Sequence, residues 1–375
     1  MIRVTKNWST YFPLNDEHPL TPIYTQPASP LGSTATEGFP AMTTHKPIGP
    51  VDATKIPRYA GLGTFARLPQ IDRVPDYDIA IVGVPFDGGT SFRPGARFGP
   101  AAVREASRLL RPGYHPELDV EPVYEVQVVD AGDIACTPYD ITRAVREIEE
   151  QALPLISEDK KLISIGGDHT IALPMLRALN KVHGPVALLH FDAHLDTWDT
   201  YFDQPVTHGT IFRRAFEEGL LVEDKSMHVG IRGPVYDRND FLRDHEFGFQ
   251  IIRCSDLDVI GVPAAIEQVK ERLGDTPVYV SIDIDVLDPA YAPGTGTPEM
   301  GGLHSRELLA LLRGLNGINI VGADVVEVAP AYDHADITTV AAATLVFDLL
   351  ALMVNRGKAE TDTVRELQAA SWTAP

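Results

Sequence analysis

The sequence predicts an α/β protein built on one parallel sheet of about eight strands with helices on both faces. Three observations carry this. Short runs rich in Val and Ile recur from Asp78 onward. They are almost continuously apolar, as strands buried on both faces must be. Between them lie stretches with helical spacing of apolar residues, so strand and helix alternate as in repeated βαβ units.

In chain order, the strand-like runs are Ile79–Val84, Val126–Val129, Leu162–Ile165, Val186–Phe191, Met227–Ile231, Gln250–Ile252, Val278–Ile282 and Ile318–Val326. The helical stretches are Ala101–Leu110, Ile141–Ile156, Ile171–Val182, Ala264–Leu273 and Ser305–Leu315. Ile337–Val354 approaches the length of a membrane span, but it contains Asp348 and several small residues, so a buried C-terminal helix is expected. The first 75 residues hold 11 of the 30 prolines and little periodicity, which reads as an extended arm over 1–75. A catalytic domain over 76–356 and a polar tail over 357–375 complete the expected organisation.

Hydrophobic residues make up 44% and charged residues 22% of the 375 residues, enough apolar content for a large core. The formal net charge of −20 argues against nucleic acid or an anionic membrane as a partner, since both select basic patches. The two cysteines, Cys136 and Cys254, form neither a disulfide framework nor a metal-ligand pair. With no apolar leader at the N-terminus, a cytoplasmic protein is expected.

Three strand ends run into polar clusters: Gly166-Gly167-Asp168-His169-Thr170, Asp192-Ala193-His194-Leu195-Asp196 and Asp283-Ile284-Asp285. In an open parallel sheet, ligands bind beyond the carboxyl ends of the strands, so these clusters should meet at one rim. Extended backbone would turn Asp192, His194 and Asp196 to one side, and likewise Asp283 and Asp285. Four carboxylates held together repel, and two divalent ions balance their charge. The expected metal ligands are therefore His169, Asp192, His194, Asp196, Asp283 and Asp285. Oxygen and imidazole donors without thiolate favour Mn²⁺, with Co²⁺, Ni²⁺ or Zn²⁺ as alternatives. Such a metal pair lowers the pKa of a shared water and supports hydrolysis.

At these residues the chain resembles the ureohydrolases, the family of arginases, agmatinases and related guanidino hydrolases. Gly-Gly-Asp-His at 166–169, Phe-Asp-Ala-His-x-Asp at 191–196 and Ser-Ile-Asp-Ile-Asp-Val-Leu-Asp-Pro at 281–289 carry the resemblance, and the segment Ala292–Glu299 extends it. The resemblance implies a three-layer α/β/α fold, two Mn²⁺ per subunit, urea release and a homotrimer or homohexamer. It also implies that Asp192 and Asp283 bridge the ions, that His208 shuttles a proton and that Glu327 holds the substrate guanidinium. The Gly-rich segment Asp87–Pro100 lacks the Gly-Lys-Ser/Thr of a phosphate loop, and Arg93 and Arg97 are expected to pair with carboxylates.

Substrate choice turns on the residues after Asp196. Thr197–Asp203 contains no Asn or Ser, which arginases use to hold the amino-acid head of arginine. Asp199, Asp203, Trp198, Tyr201 and Phe202 suit an ammonium tail, which points to agmatine, cleaved to putrescine and urea. Lys46, Lys55 or Arg58 of the arm could instead serve 4-guanidinobutyrate or 3-guanidinopropionate, and free guanidine is a further alternative. Two other classes compete: a single-zinc deacetylase-like amidohydrolase, which needs only three protein ligands, and a non-catalytic regulatory member. The intact set of six candidate ligands counts against both.

Overall fold

The computed structural model describes residues 46–355. The expected arm therefore falls largely outside the described residues (1–45), as does the tail (357–375). Residues 46–75 form turns and two short 3₁₀ segments, with Phe65 and Leu68 buried in the main core.

The described residues form eight strands: β1 Ile79–Val84, β2 Val128–Asp133, β3 Lys161–Gly166, β4 Ala187–Phe191, β5 Met227–Ile231, β6 Gln250–Arg253, β7 Val278–Asp283 and β8 Ile320–Val326. All pair in parallel, in the order β2-β1-β3-β8-β7-β4-β5-β6. The helices are α1 Gly99–Ser107, α2 Pro122–Glu125, α3 Ile141–Ala152, α4 Ala172–His183, α5 Ile211–Glu217, α6 Asn239–Glu246, α7 Cys254–Leu273, α8 Ser305–Gly314 and α9 Ile337–Val354.

The apolar strands read as two-sided because they are. In β1, Ile79 and Ile81 join a core shared with α1, α7, α8 and α9, while Ala80, Val82 and Val84 join a second core with α3, α4 and α5. Each such Val, Ile or Leu contributes about 1.5–3 kcal/mol by leaving water. The result is three layers, helices on each face of one sheet.

α9 has a mean hydropathy of 2.1, but 72% of it is buried inside the protein, and Asp348 is bonded to His115 (2.9 Å) and Arg313 (2.7 Å). It is a core helix. Four elements differ from expectation. β2 starts at Val128 and carries Asp130, held by Arg104 at 2.8 Å. α7 begins ten residues before Ala264, with a break at Gly261, whose φ of 74° is readily adopted only by glycine, just before Pro263. α5 and α6 are short and lack a clear apolar period, so tertiary packing defines them.

The chain order reverses across the sheet. β3 and β4 leave a gap that β8 and β7 later fill, so β3, β8, β7 and β4 are consecutive neighbours. Their carboxyl ends surround the switch point where an open sheet forms its crevice.

Candidate metal centre and active site

The three expected clusters do meet at that rim, but not through extended backbone. β4 stops at Phe191, residues 193–194 bend, and Asp196 takes a left-handed φ of 54°. β7 stops at Asp283, and Ile284–Val286 form a 3₁₀ turn. The same device shapes all three ends. An aspartate side chain accepts from the backbone N–H two residues on: Asp168 from Thr170 (3.0 Å), Asp192 from His194 (2.6 Å) and Asp283 from Asp285 (2.8 Å). These Asx turns satisfy backbone donors released where pairing ends and aim the next side chain back into the crevice.

Two groups of donor atoms result, and Asp192 belongs to both. His169 Nδ1 lies 3.3 Å from Asp192 Oδ2, 3.0 Å from Asp196 Oδ2 and 3.4 Å from Asp283 Oδ2. His194 Nδ1 lies 3.3 Å from Asp192 Oδ1 and 3.2 Å from Asp285 Oδ2. Asp192 thus offers one oxygen to each group. His190 also approaches the first group. Its Nε2 is already committed to Asp192 at 2.7 Å, whereas Asp283 has an oxygen facing His169, so Asp283 is the better fourth donor.

The donors fit a metal pair on two counts. His169 Nε2 sits 2.8 Å from Ser281 Oγ, and that hydroxyl donates to Asp324 at 2.7 Å. The ring hydrogen therefore belongs on Nε2. Nδ1 then presents a lone pair to three carboxylate oxygens, buried and without any hydrogen-bond partner. A lone pair facing anions is repulsive unless a cation lies between them. Three of the four carboxylates report the same strain. Burial and the charges of Asp285 and Asp192 hold Asp283 well above the usual range. Burial, with Asp192 adding to it, raises Asp196. Burial outweighs His194 and takes Asp285 to about 6.

His208 and Glu327 stand beside this centre. They are 119 residues apart, yet Nδ1 of His208 is 3.0 Å from Glu327 Oε1, and the same oxygen accepts from His169 N at 3.0 Å. Glu327 follows the end of β8 with a left-handed φ of 62°, which turns it inward. Burial opposes a charged His208, but Glu327, Asp196 and Asp168 outweigh it and lift the ring to about 9. The Ser91 hydroxyl lies 2.7 Å from His208 Nε2.

Ser91 belongs to the Gly-rich loop, which closes over the centre. Gly89 N donates to Asp168 at 2.7 Å, and a Cβ on Gly89 would lie 2.1 Å from Thr170 Oγ1, so only glycine fits. In this loop Arg97 pairs with Asp87, as expected. Among the described residues Arg93 has no carboxylate partner. Its guanidinium lies 5.2 Å from the Tyr332 ring centre and 6.0 Å from that of Phe92.

Several participants carry no signal in the sequence alone. Arg232 donates to the carbonyls of Asp285 (2.6 Å), Val286 (3.1 Å) and Glu299 (2.8 Å), pinning the turn after β7. Asp324 and Ser281 orient His169. Near the substrate loop, Asp199 is not free, because Arg214 (2.9 Å) and Arg213 (3.4 Å) neutralise it. Lys55 and Arg58 are engaged with Asp52 (3.3 Å) and the Leu109 carbonyl (2.8 Å). Only the rule that a lone charge in a folded chain finds a partner could have hinted at these pairings.

Comparison with known proteins agrees with the geometry. The arginase family model matches residues 77–352. A guanidinopropionase of Pseudomonas aeruginosa is 45% identical over 305 residues, 81% of this chain and 95% of that protein. The mitochondrial agmatinase of Gallus gallus is 40% identical over 304 residues, 81% of this chain and 89% of that protein. The solved proclavaminate amidino hydrolase of Streptomyces clavuligerus superposes with a TM-score of 0.75 at 41% identity, covering 80% of this chain and 99% of that one. An eight-stranded parallel sheet whose central strand ends gather these histidines and aspartates, together with the family match over residues 77–352, makes this chain a member of the arginase family of ureohydrolases.

Proposed function

We propose that this member is a binuclear-metal hydrolase that cleaves a small guanidino compound to urea and an amine. The observation that carries the proposal is the sharing of Asp192 between two histidine–carboxylate groups, with His208 and Glu327 alongside. In this reading His169, Asp192, Asp196 and Asp283 hold one ion, and His194, Asp192, Asp283 and Asp285 hold the other. When bound, two Mn²⁺ ions would supply Lewis acidity and lower the pKa of a water.

The chain's own groups do the rest. Glu327 receives the guanidinium, since a carboxylate accepts paired N–H donors with good geometry. Its bond to His208 Nδ1 fixes that ring, and Nε2, which accepts from Ser91 N at 3.1 Å, is the atom that would exchange a proton with the leaving amine. The exposed Ser91 hydroxyl at Nε2 links the ring to solvent.

For the substrate, agmatine is supported by the aromatic surface of Trp198, Tyr201, Phe202 and Tyr236 and by Asp203 at its edge. Trp198 and Tyr236 have ring centres 4.9 Å apart. A second reading, an ω-guanidino acid, is favoured by two observations: Asp199 is neutralised, and Arg93 has no carboxylate partner among the described residues. The Arg93 backbone passes near Glu327, as a Cβ on Gly296 would lie 3.0 Å from Arg93 O and 3.5 Å from Glu327 Oε2, and its guanidinium rests by Tyr332. A urea-release assay with Mn²⁺ over agmatine, arginine, 4-guanidinobutyrate, 3-guanidinopropionate and guanidine tests both. Urea from agmatine alone supports the first, and urea from the acids supports the second. No urea from any of the five, or a single tightly bound zinc per chain, refutes the proposal.

A further inference from the structure

Behind Asp192 runs a buried polar chain that the reaction itself does not use. β4 and β5 are otherwise apolar, yet each carries a histidine, and these face each other in register, His190 opposite His228. Both rings are fully buried. Their Nδ1 atoms are 2.7 Å apart, and the rings meet edge to face at 74°. His190 Nε2 reaches Asp192 Oδ2 at 2.7 Å. His228 Nε2 lies 3.2 Å from Asp244 Oδ2 on α6, out of line for a hydrogen bond. Asp244 Oδ1 accepts from the hydroxyl of Thr197, the residue after Asp196. The chain therefore starts at one expected ligand and returns beside another.

Hydrogen counting gives it a direction. A carboxylate only accepts, so His190 must carry hydrogen on Nε2. A neutral His190 then has a lone pair on Nδ1, and His228 must donate to it. With hydrogen on Nδ1, His228 attracts the Asp244 carboxylate through Nε2 as the protonated ring, an ion pair at 3.2 Å. Phe212 and His169 pack on His190 at 4.5 Å and 5.0 Å between ring centres, so its ring has no room to turn. Three fully buried polar side chains cost stability that apolar residues at the same positions would not. Their arrangement around one carboxylate accounts for that cost.

We propose that His228 and Asp244 are positioning residues that orient His190 and, through it, hold the shared carboxylate Asp192 in the geometry that binds both ions. The proposal rests on the reading of Asp192 as a bridging ligand. Outer partners of metal ligands typically govern affinity by about 10–100-fold.

The test is Mn²⁺ titration of the metal-free full-length protein by calorimetry, with thermal melting of the same metal-free samples. His228→Leu should bind Mn²⁺ about 10–100-fold more weakly than wild type. His228→Gln, whose amide can donate to His190 Nδ1, should recover most of that loss. Asp244→Asn should weaken binding toward the low end of the range. Wild-type affinity in His228→Leu overturns the proposal, as does a His228→Gln variant as weak as His228→Leu, which would mean packing alone. If His228→Leu does not fold, unchanged affinity in Asp244→Asn overturns it. A wild-type protein that fails to bind two ions would refute the metal-pair reading itself, a result distinct from any of these.

Discussion

Replacing Asp192 by asparagine is expected to disable both halves of the metal centre at once. The carboxylate sends Oδ2 toward His169 and Oδ1 toward His194, at 3.3 Å each. It also accepts from His190 Nε2 at 2.7 Å and from His194 N at 2.6 Å. An asparagine amide has one accepting and one donating end. Either orientation sets its NH₂ against an existing donor, at a fully buried position. A buried donor left unpaired costs about 1–3 kcal/mol, which corresponds to about 5–150-fold in an equilibrium constant. The substitution also removes one of four charges that offset the two ions. Since loss of an outer partner alone costs about 10–100-fold, Asp192→Asn should weaken Mn²⁺ binding by more than about 100-fold and abolish urea release at micromolar metal. Calorimetry and a colorimetric urea assay on the same preparation read both effects. Two ions bound at wild-type affinity, or urea release within tenfold of wild type, would refute the bridging assignment.

Glu327→Gln should leave two ions bound and raise KM more than it lowers kcat. The loss of a charged hydrogen-bond partner is worth about 1.5–3 kcal/mol, and steady-state kinetics with metal counting checks it. His208→Ala should lower kcat by about 10²–10⁴-fold with the metal content intact, so loss of metal there would contradict the proton-shuttle role. Acidification should release the metals, because Asp285, raised to about 6, gains a proton below that pH and competes with the ion. The sign differs for the metal-free protein. A carboxylate with a raised folded pKa binds more protons folded than unfolded, so this group stabilises the metal-free fold as pH falls from about 6 toward the ordinary carboxylate value. The rise in Tm on adding Mn²⁺ should therefore shrink between pH 8 and pH 5, and a rise that grows would be inconsistent with this centre.

What the residues alone determined is the sheet and the address of the chemistry. Strands buried on both faces must be nearly continuous in apolar residues, so their ends are visible, and polar residues clustered just past three of them have few other reasons to be there. That logic points to His169, Asp192, His194, Asp196, Asp283 and Asp285 as one cluster at the rim of the sheet. It misjudged how they converge. Side-chain direction past a strand end depends on single backbone angles, such as the left-handed φ of Asp196 and Glu327, and on Asx turns that local periodicity does not encode. Partnerships across the sheet were also out of reach. His208 meets Glu327 and His190 meets His228 only because the chain reverses its strand order, placing β8 and β7 between β3 and β4 and laying β5 against β4. The same packing gives Asp199 to two arginines and leaves Arg93 without a carboxylate among the described residues, which reopens a substrate choice that the loop sequence tilts toward agmatine. Local pattern decides which residues are buried or polar, and tertiary structure decides which of them touch, because contact energy is set by neighbours that are distant in sequence.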